Sequence, residues 1–233
     1  MWPMGSPSQR GTEAGFHPEH PVLRRLVHRF PRLRVGATDL VCESLLPTIV
    51  EQKVTAAEAF ASVNGLTRRL GDPAPGPRFD PGHPAHGIAP TAAQWRRIPS
   101  WAWHRAGVEP PQSKTIVRAA ERGDRIADAV RAATTGPDRD RVLTSLPGVG
   151  VWTAAETRIR ALGDPDAVSV GDYHLAHEVG HALTGHRTDD AGMVELLAPW
   201  AGHRQRVIRL IFASGVAEAR RGPRLAPEDH RRR

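Results

Sequence analysis

The chain has 233 residues, of which 39% are hydrophobic and 24% charged, a composition typical of a globular protein with a buried core. Its net charge is +7, and residues 203–233 contain nine arginines against three acidic residues, which favours a polyanionic partner such as nucleic acid. The single cysteine, Cys42, excludes an intramolecular disulfide and an iron–sulfur cluster held by four thiolates. Because we find neither a membrane-length apolar run nor a signal-peptide pattern, we expect a cytoplasmic protein.

The spacing of apolar residues predicts an all-α fold with no strand. Residues 1–18 are rich in Gly, Ser and Pro and are expected to be disordered, and the basic residues 220–233 are expected to form a solvated tail. Residues 71–90 are predicted to be a loop because repeated Pro and Gly forbid regular structure. Helices are predicted at 20–30, 38–70, 91–97, 100–106, 112–133, 138–145, 151–162, 172–184, 189–199 and 203–219.

The segment LTSLPGVGVWTA, residues 143–154, predicts two helices joined by a tight Gly-rich turn. Gly148 and Gly150 permit that turn and the close approach of another backbone. The second helix begins with free N–H groups and the positive end of its dipole, which suit a phosphate. A plain αα-hairpin is the alternative interpretation. The segment resembles the DNA-binding helix-hairpin-helix of repair glycosylases, polymerases and ligases.

The following segment, LGDPDAVSVGDYHLAHEVG, narrows the resemblance to the helix-hairpin-helix (HhH-GPD) superfamily of base-excision DNA glycosylases. Within it the chain resembles the inducible 3-methyladenine glycosylase branch, with Trp-Thr-Ala in the hairpin and Asp-Tyr opening a later helix. LLPTIVEQKVTAAEA, WHRAGVEPPQSKTIVRAA and APWAGHRQRVIRLIF extend the match to residues 20–215. The resemblance implies one glycosylase domain over 19–219, built as two helical lobes with the active-site cleft between them. The family's N-terminal β-domain is expected to be missing or reduced.

The resemblance also implies that Asp172 is the catalytic carboxylate of a monofunctional glycosylase. Breaking an N-glycosidic bond builds positive charge on the deoxyribose, and a carboxylate near C1′ stabilises that charge and orients a water molecule. A simple N-cap is the competing interpretation, since Asp is preferred at helix starts. Bifunctional members carry a Schiff-base lysine at the position of Trp152, so hydrolysis without strand cleavage is expected.

A base pocket is expected between the lobes, lined by Trp152, Glu156, His174, Gln52 and Trp200. Trp152 would either stack on an electron-poor alkylated base or pack in the core. Glu156 replaces an aromatic residue of the branch, and His174 replaces an aliphatic one. These departures predict a more polar pocket and leave the identity of the excised base open.

The resemblance further implies how the protein would hold DNA. The hairpin would grip the phosphates beside the lesion through Gly148, Val149, Gly150, Val151 and Thr153. The loop at 110–112, with Pro111 and Gln112, would insert into the duplex and help to extrude the damaged nucleotide. Backbone carbonyls of Thr144, Leu146 and Val149 would hold a monovalent cation, and no cofactor is required. The expected partner is double-stranded DNA containing a damaged base, bound by a nucleoid-associated monomer without membrane contact.

Two other classes of protein compete with this interpretation. Residues 177–181 read His-Glu-Val-Gly-His, the HExxH pattern of zinc hydrolases. The extended form of that pattern requires Gly at 184 and His at 187, where this chain has Thr184 and Arg187, so we do not expect zinc. The third class is a non-catalytic hairpin protein that binds structured DNA, and the presence of Asp172 argues against it.

Overall fold

The computed structural model describes residues 16–74 and 87–216, and over these ranges the fold is all-α, as predicted. None of the described helices is both long enough and apolar enough to cross a bilayer. The helices are α1 (Pro21–Arg29), α2 (Val41–Val50), α3 (Ala56–Leu70), α4 (Ala92–Arg96), α5 (Ser100–Ala106), α6 (Pro110–Glu121), α7 (Gly123–Ala132), α8 (Gly136–Thr144), α9 (Val151–Leu162), α10 (Leu175–Thr184), α11 (Asp190–Leu197) and α12 (Arg204–Ser214). A 3-10 turn, Ala198–Trp200, joins α11 to α12.

Buried side chains form two separate hydrophobic cores, which confirm the predicted two lobes. The first lobe contains α2 to α9, with Leu46 and Leu143 among its fully buried residues. The second contains α1 and α10 to α12, with Leu23 and Ile208 in its core. Helix α1 packs on α12 although the whole first lobe separates them in the sequence.

The chain passes between the lobes before α2 and again after α9, and the two crossings lie side by side. The N–H groups of Thr38 and Asp39 donate to the carbonyl of Ala161 at 3.1 and 2.7 Å. Gly163 ends α9 with φ 60°, and a Cβ there would lie 3.1 Å from the Val35 carbonyl oxygen. The segment that follows α9 therefore starts at the boundary between the lobes.

The single helix predicted at 38–70 is wrong, because the chain turns at 51–54 and forms α2 and α3. Lys53 adopts a left-handed conformation with φ 57°, which no α-helix accommodates. Thr55 then starts α3 with a capping box, accepting from the N–H of Glu58 while the Glu58 carboxylate accepts from the N–H of Thr55. Apolar spacing continues through the turn, so periodicity alone does not reveal it.

The predicted helix at 112–133 is also two helices. Arg122 lies between α6 and α7 with φ −111° and ψ 7°, outside the helical region. Gly123 follows at once, and a Cβ there would lie 3.1 Å from Cys42 Sγ on α2. The close approach of α7 to α2 thus accompanies the break.

The remaining differences concern the ends of elements. Helix α10 begins three residues later than the predicted 172, and α12 ends at Ser214 rather than 219. A two-residue antiparallel ladder pairs Asp72–Pro73 with Gly87–Ile88, where no strand was predicted. The loop residues 75–86 and the predicted tail at 220–233 lie outside the described residues.

The prediction that residues 1–18 are disordered is wrong for the last residues of that segment. Residues 1–15 lie outside the described residues, but Phe16 is buried in the second lobe. Its ring centroid lies 5.1 Å from that of His203, and the guanidinium of Arg206 lies over the Phe16 ring, 4.9 Å from its centroid. The described part of the second lobe therefore includes Phe16.

Candidate active site and nucleic-acid interface

The hairpin between α8 and α9 presents an open helix N-terminus. Gly148 has φ 91°, and a Cβ there would lie 2.3 Å from Thr115 Oγ1, so the turn packs directly on α6. Gly150 is the N-cap of α9, and no side chain caps the helix there. A Cβ on Gly150 would meet nothing within 4 Å, and Val151 is 63% exposed. The first N–H groups of α9 and its positive dipole end therefore face solvent, as phosphate binding requires.

Buried charges hold the two helices of the hairpin together. Arg158 on α9 is buried and donates to Asp140 of α8 at 2.6 Å and to Asp164 at 2.7 and 3.0 Å. Burial lowers the pKa of Arg158, but its hydrogen bonds to these two carboxylates outweigh that effect and raise it. The hairpin is thus a fixed platform rather than a free loop.

Two glutamines connect the hairpin to the turn after α2, and that turn to α6. Gln52 Nε2 donates to the Gly148 carbonyl and to Thr153 Oγ1, both at 2.9 Å. Gln112 Nε2 donates to the carbonyls of Val50 and Gln52, both at 2.9 Å. The amide N–H groups of Gln52 therefore support the hairpin, and the place of Gln52 in the base pocket remains a prediction.

The prediction that Gln112 inserts into DNA is wrong. Gln112 lies in the first turn of α6 and is only 7% exposed, because its amide bonds the 50–52 backbone. Pro111, beside it, is exposed. Lys53, which no sequence pattern singled out, is exposed at the tip of the 51–54 turn with a positive φ. The rarity of lysine could have drawn attention to this position, since only one other lysine, Lys114, occurs in this arginine-rich chain.

Other predicted contact residues can reach DNA only through their backbone. The side chains of Val149 and Thr153 are buried, 5% and 2% exposed. The Leu146 carbonyl, one of the three predicted cation ligands, accepts the Val149 N–H at 3.0 Å and keeps a second lone pair. Thr144 is exposed at the end of α8, and its hydroxyl donates to the Asp140 carbonyl.

Asp172 lies at the start of the second lobe with its carboxylate half-buried. One oxygen, Oδ1, accepts from the N–H groups of His174 and Leu175 at 2.9 and 3.0 Å, which supports the turn that leads into α10, although the N-cap itself is His174. The other, Oδ2, accepts from Trp152 Nε1 at 3.1 Å, across the boundary from the first lobe. The structural and the catalytic interpretation are therefore compatible, because each uses a different oxygen.

The loop that carries Asp172 is anchored on both sides. Gly171, with φ 89°, donates its N–H to Asp190 Oδ2 of α11 at 3.0 Å. On the other side, the N–H of Asp172 donates to the Ser169 carbonyl at 3.2 Å, and Ser169 Oγ donates to Glu156 Oε1 at 2.5 Å. Anchors from both lobes thus fix the backbone on either side of the carboxylate.

Glu156 belongs to an ionic network that continues into α2. Arg160 Nη2 donates to Glu156 Oε2 at 2.9 Å, and Arg160 binds Glu51 in a bidentate pair at 2.7 and 2.6 Å. Burial lowers the pKa of Arg160, but the hydrogen bonds and charges of the two glutamates raise it above its usual value. Both oxygens of Glu156 are thereby engaged with protein groups.

The other predicted pocket residues lie apart from this network. His174 is exposed and packs edge-on against Tyr173, with ring centroids 4.7 Å apart. Tyr173 is itself 78% exposed beside Asp172. Trp200 packs against the core of the second lobe and meets the ring of His20 edge-on at 6.2 Å. The base-pocket role of these residues remains a prediction.

Packing of α10 accounts for two positions of the HExxH pattern. His177 Nδ1 hydrogen-bonds the Thr188 carbonyl oxygen at 2.8 Å. A Cβ at Gly180 would lie 2.7 Å from the His186 carbonyl oxygen, so the helix needs glycine to approach the 186–188 turn. Within residues 16–74 and 87–216, no three His, Cys, Asp or Glu side chains are grouped to hold a metal ion.

The open hairpin and the two helical lobes that meet at Asp172 form a fold that solved structures of DNA glycosylases share. A 3-methyladenine DNA glycosylase from Archaeoglobus fulgidus has TM-score 0.68 at 20% identity, covering 83% of this chain and 66% of that one. The Schizosaccharomyces pombe 3-methyladenine DNA glycosylase, solved with abasic DNA, has TM-score 0.65 at 16% identity, covering 89% and 96%. At these identities the likeness establishes a common fold.

Comparison of the sequence with known proteins gives a further likeness. No protein-family model matches the chain. A curated relative from Mycobacterium tuberculosis, "Probable bifunctional transcriptional activator/DNA repair enzyme AlkA", is 28% identical over 159 residues, which are 66% of this chain. The match spans only 30% of that relative's length. The predicted resemblance to DNA glycosylases is thus confirmed in the fold, and the sequence is similar to that of a DNA repair enzyme over 66% of the chain.

Proposed function

We propose that the protein is a monofunctional DNA glycosylase that hydrolyses the N-glycosidic bond of a damaged base, with alkylated bases as the substrate class. The observation that carries the proposal is the position of Asp172 Oδ2 at the boundary between the lobes, 3.1 Å from Trp152 Nε1. The open N-terminus of α9, which supplies Trp152, faces solvent in the same part of the molecule. Phosphate binding and base excision would therefore share one helix.

In the proposed reaction, Asp172 acts on the sugar of an extruded nucleotide. As the base departs with the electron pair of the N-glycosidic bond, positive charge develops at C1′ and O4′ of the deoxyribose. The Asp172 carboxylate stabilises that charge, and a water molecule that it orients adds to C1′ and loses a proton. The hydrogen bond from Trp152 fixes the position of Oδ2 and leaves that oxygen a lone pair for the water.

The first residues of α9 favour hydrolysis over strand cleavage. Trp152 has no amine and cannot form a Schiff base with the sugar. Its ring is half-buried, and its Nε1–H points to Asp172, which places an aromatic face beside the proposed reaction centre. An electron-poor alkylated base would stack on such a face more strongly than an ordinary base.

The proposed DNA interface combines the hairpin with the 51–54 turn. The N–H groups at Gly150, Val151 and Trp152 would bind a phosphate of the lesion strand. Lys53 lies on the adjacent turn, which Gln52 ties to the hairpin. From there Lys53 would insert into the duplex or contact its phosphate backbone. A monovalent cation on the carbonyls of Thr144, Leu146 and Val149 would add positive charge next to that phosphate. Double-stranded DNA is the proposed partner, bound by a monomer.

The decisive experiment measures base release from methylated duplex DNA. The protein is incubated with the duplex, which is then treated with alkali to cleave abasic sites. We expect Asp172→Asn to lower the rate of abasic-site formation by about 1000-fold while binding abasic DNA with nearly unchanged affinity. Asp128→Asn, at an exposed aspartate paired only with surface arginine, is the matched control and should retain the wild-type rate. Wild-type activity in Asp172→Asn would refute the mechanism, and absence of release by the wild-type protein from any damaged base would refute the activity.

A further inference from the structure

We propose that Glu156 is a positioning residue that holds Asp172 in place through Ser169. The inference rests on the proposed role of Asp172 as the catalytic carboxylate. The family resemblance predicts that Glu156 lines the base pocket. The role proposed here, through Ser169, is a different one.

The connection from Glu156 to Asp172 runs through a single residue. Ser169 is 3% exposed, and its hydroxyl donates to Glu156 Oε1 at 2.5 Å. The carbonyl of the same residue accepts the N–H of Asp172 at 3.2 Å. Ser169 therefore transmits the position of a helix α9 side chain to the backbone of the catalytic loop.

Glu156 can serve as an anchor because its other oxygen is fixed. Arg160 Nη2 donates to Glu156 Oε2 at 2.9 Å, one turn further along α9. Arg160 is in turn held by the bidentate pair with Glu51 and by Thr48 Oγ1 at 3.1 Å. Charge-assisted hydrogen bonds of this kind are short and directional, and these are partly shielded from water.

The same network reaches the proposed DNA-contacting turn. Glu51 is the C-cap of α2 and immediately precedes Gln52 and Lys53. A displacement of that turn on DNA binding would move Glu51 and, through Arg160, the anchor of Ser169. The network thus joins the DNA interface to the loop that carries Asp172.

The test compares two abasic-site analogues in otherwise identical duplexes. One carries a pyrrolidine ring that is protonated at neutral pH, and the other carries a neutral tetrahydrofuran ring. The cation resembles the charge that develops on the sugar, so the ratio of the two dissociation constants reports how well Asp172 is aimed. Binding of each duplex is measured for the wild-type protein, Ser169→Ala, Glu156→Gln and Asp172→Asn.

We expect Ser169→Ala and Glu156→Gln to lower the preference for the cationic duplex about tenfold, while affinity for the neutral duplex changes less than about twofold. Ser214→Ala is the matched control, because the Ser214 hydroxyl donates to the Ile211 carbonyl and accepts the Val216 N–H, both local contacts at the end of α12. Its preference should equal that of the wild-type protein. A second readout, the single-turnover rate of base release, should fall in parallel with the preference.

Three results would contradict the inference in distinguishable ways. An unchanged preference in Ser169→Ala and Glu156→Gln, with the preference lost in Asp172→Asn, would remove Glu156 as a positioning residue and leave Asp172 in place. Equal losses of affinity for both duplexes would indicate a general structural role and also overturn it. A full preference in Asp172→Asn would instead refute the proposed function itself.

Discussion

Replacing Gly148 by alanine tests whether the hairpin is as tightly built as its geometry indicates. Gly148 has φ 91°, a conformation that costs an L-residue about 1 kcal/mol. The added Cβ would also lie 2.3 Å from Thr115 Oγ1 and 2.9 Å from its Cγ2. Relieving that overlap within a packed region adds about 1–3 kcal/mol. The expected loss in free energy of unfolding is therefore about 2–4 kcal/mol.

Gly185→Ala separates the two contributions. Gly185 ends α10 with φ 81°, and a Cβ there would meet nothing within 4 Å. This variant should lose only the conformational contribution of about 1 kcal/mol. For a domain of this size we expect the melting temperature to fall by about 9 °C for Gly148→Ala and about 3 °C for the control.

Urea denaturation followed by circular dichroism measures both losses. A second arm introduces Gly148→Ala into a Thr115→Ala background, which removes the two closest atoms. The cost of the glycine substitution should then fall to about 1 kcal/mol, as in Gly185→Ala. Equal costs for Gly148→Ala and Gly185→Ala in the natural background would refute the reasoning, because they would show that the turn moves away from α6 freely.

Three further predictions concern other parts of the molecule. Burial, reinforced by nearby carboxylates, raises the pKa of Cys42 from 9.0 to about 11, so iodoacetamide should alkylate it about 100-fold more slowly at pH 8 than in unfolded protein. Burial raises the pKa of Asp166, but the hydrogen bonds from Arg204 outweigh it and lower the pKa below 3.8. The stabilisation is thus present above that pH and is lost as the pH falls through the lowered pKa, so Asp166→Asn should reduce the melting temperature at pH 7 and do so progressively less as the pH falls below 3.8. Lys53→Asn should raise the melting temperature by about 1–3 °C, because Asn tolerates a positive φ, and should weaken lesion-DNA binding about tenfold; unchanged affinity would remove Lys53 from the interface.

The parts of the site that could be predicted are those encoded by short segments with fixed local geometry. The turn of the hairpin at 143–154 depends on Gly148, whose positive φ and close contact with Thr115 favour glycine, and the predicted bounds of α9 agree with the structure. The position of Asp172 follows from its distance in sequence to that hairpin. Each of these features is determined by neighbours along the chain.

The parts that could not be predicted depend on contacts between distant segments. The role of Glu156 depends on Arg160, whose partner Glu51 lies 109 residues earlier in the chain. The burial of Gln112 likewise requires the backbone at 50–52, whose hydrogen-bonding carbonyls lie 62 and 60 residues earlier in the chain. Helical spacing identified the face of each helix but not the polar partner that another element would supply.

The order of the helices along the chain has a consequence for biosynthesis. Helix α1 leaves the ribosome before the first lobe, yet its packing partner α12 is made after that lobe is complete. The apolar face of α1, with Leu23 and Leu26, must therefore remain uncovered while α2 to α9 are translated. A chaperone that binds apolar segments can therefore bind α1 throughout that period. In nascent chains arrested before α12, α1 should be cleaved by protease although the first lobe is already compact.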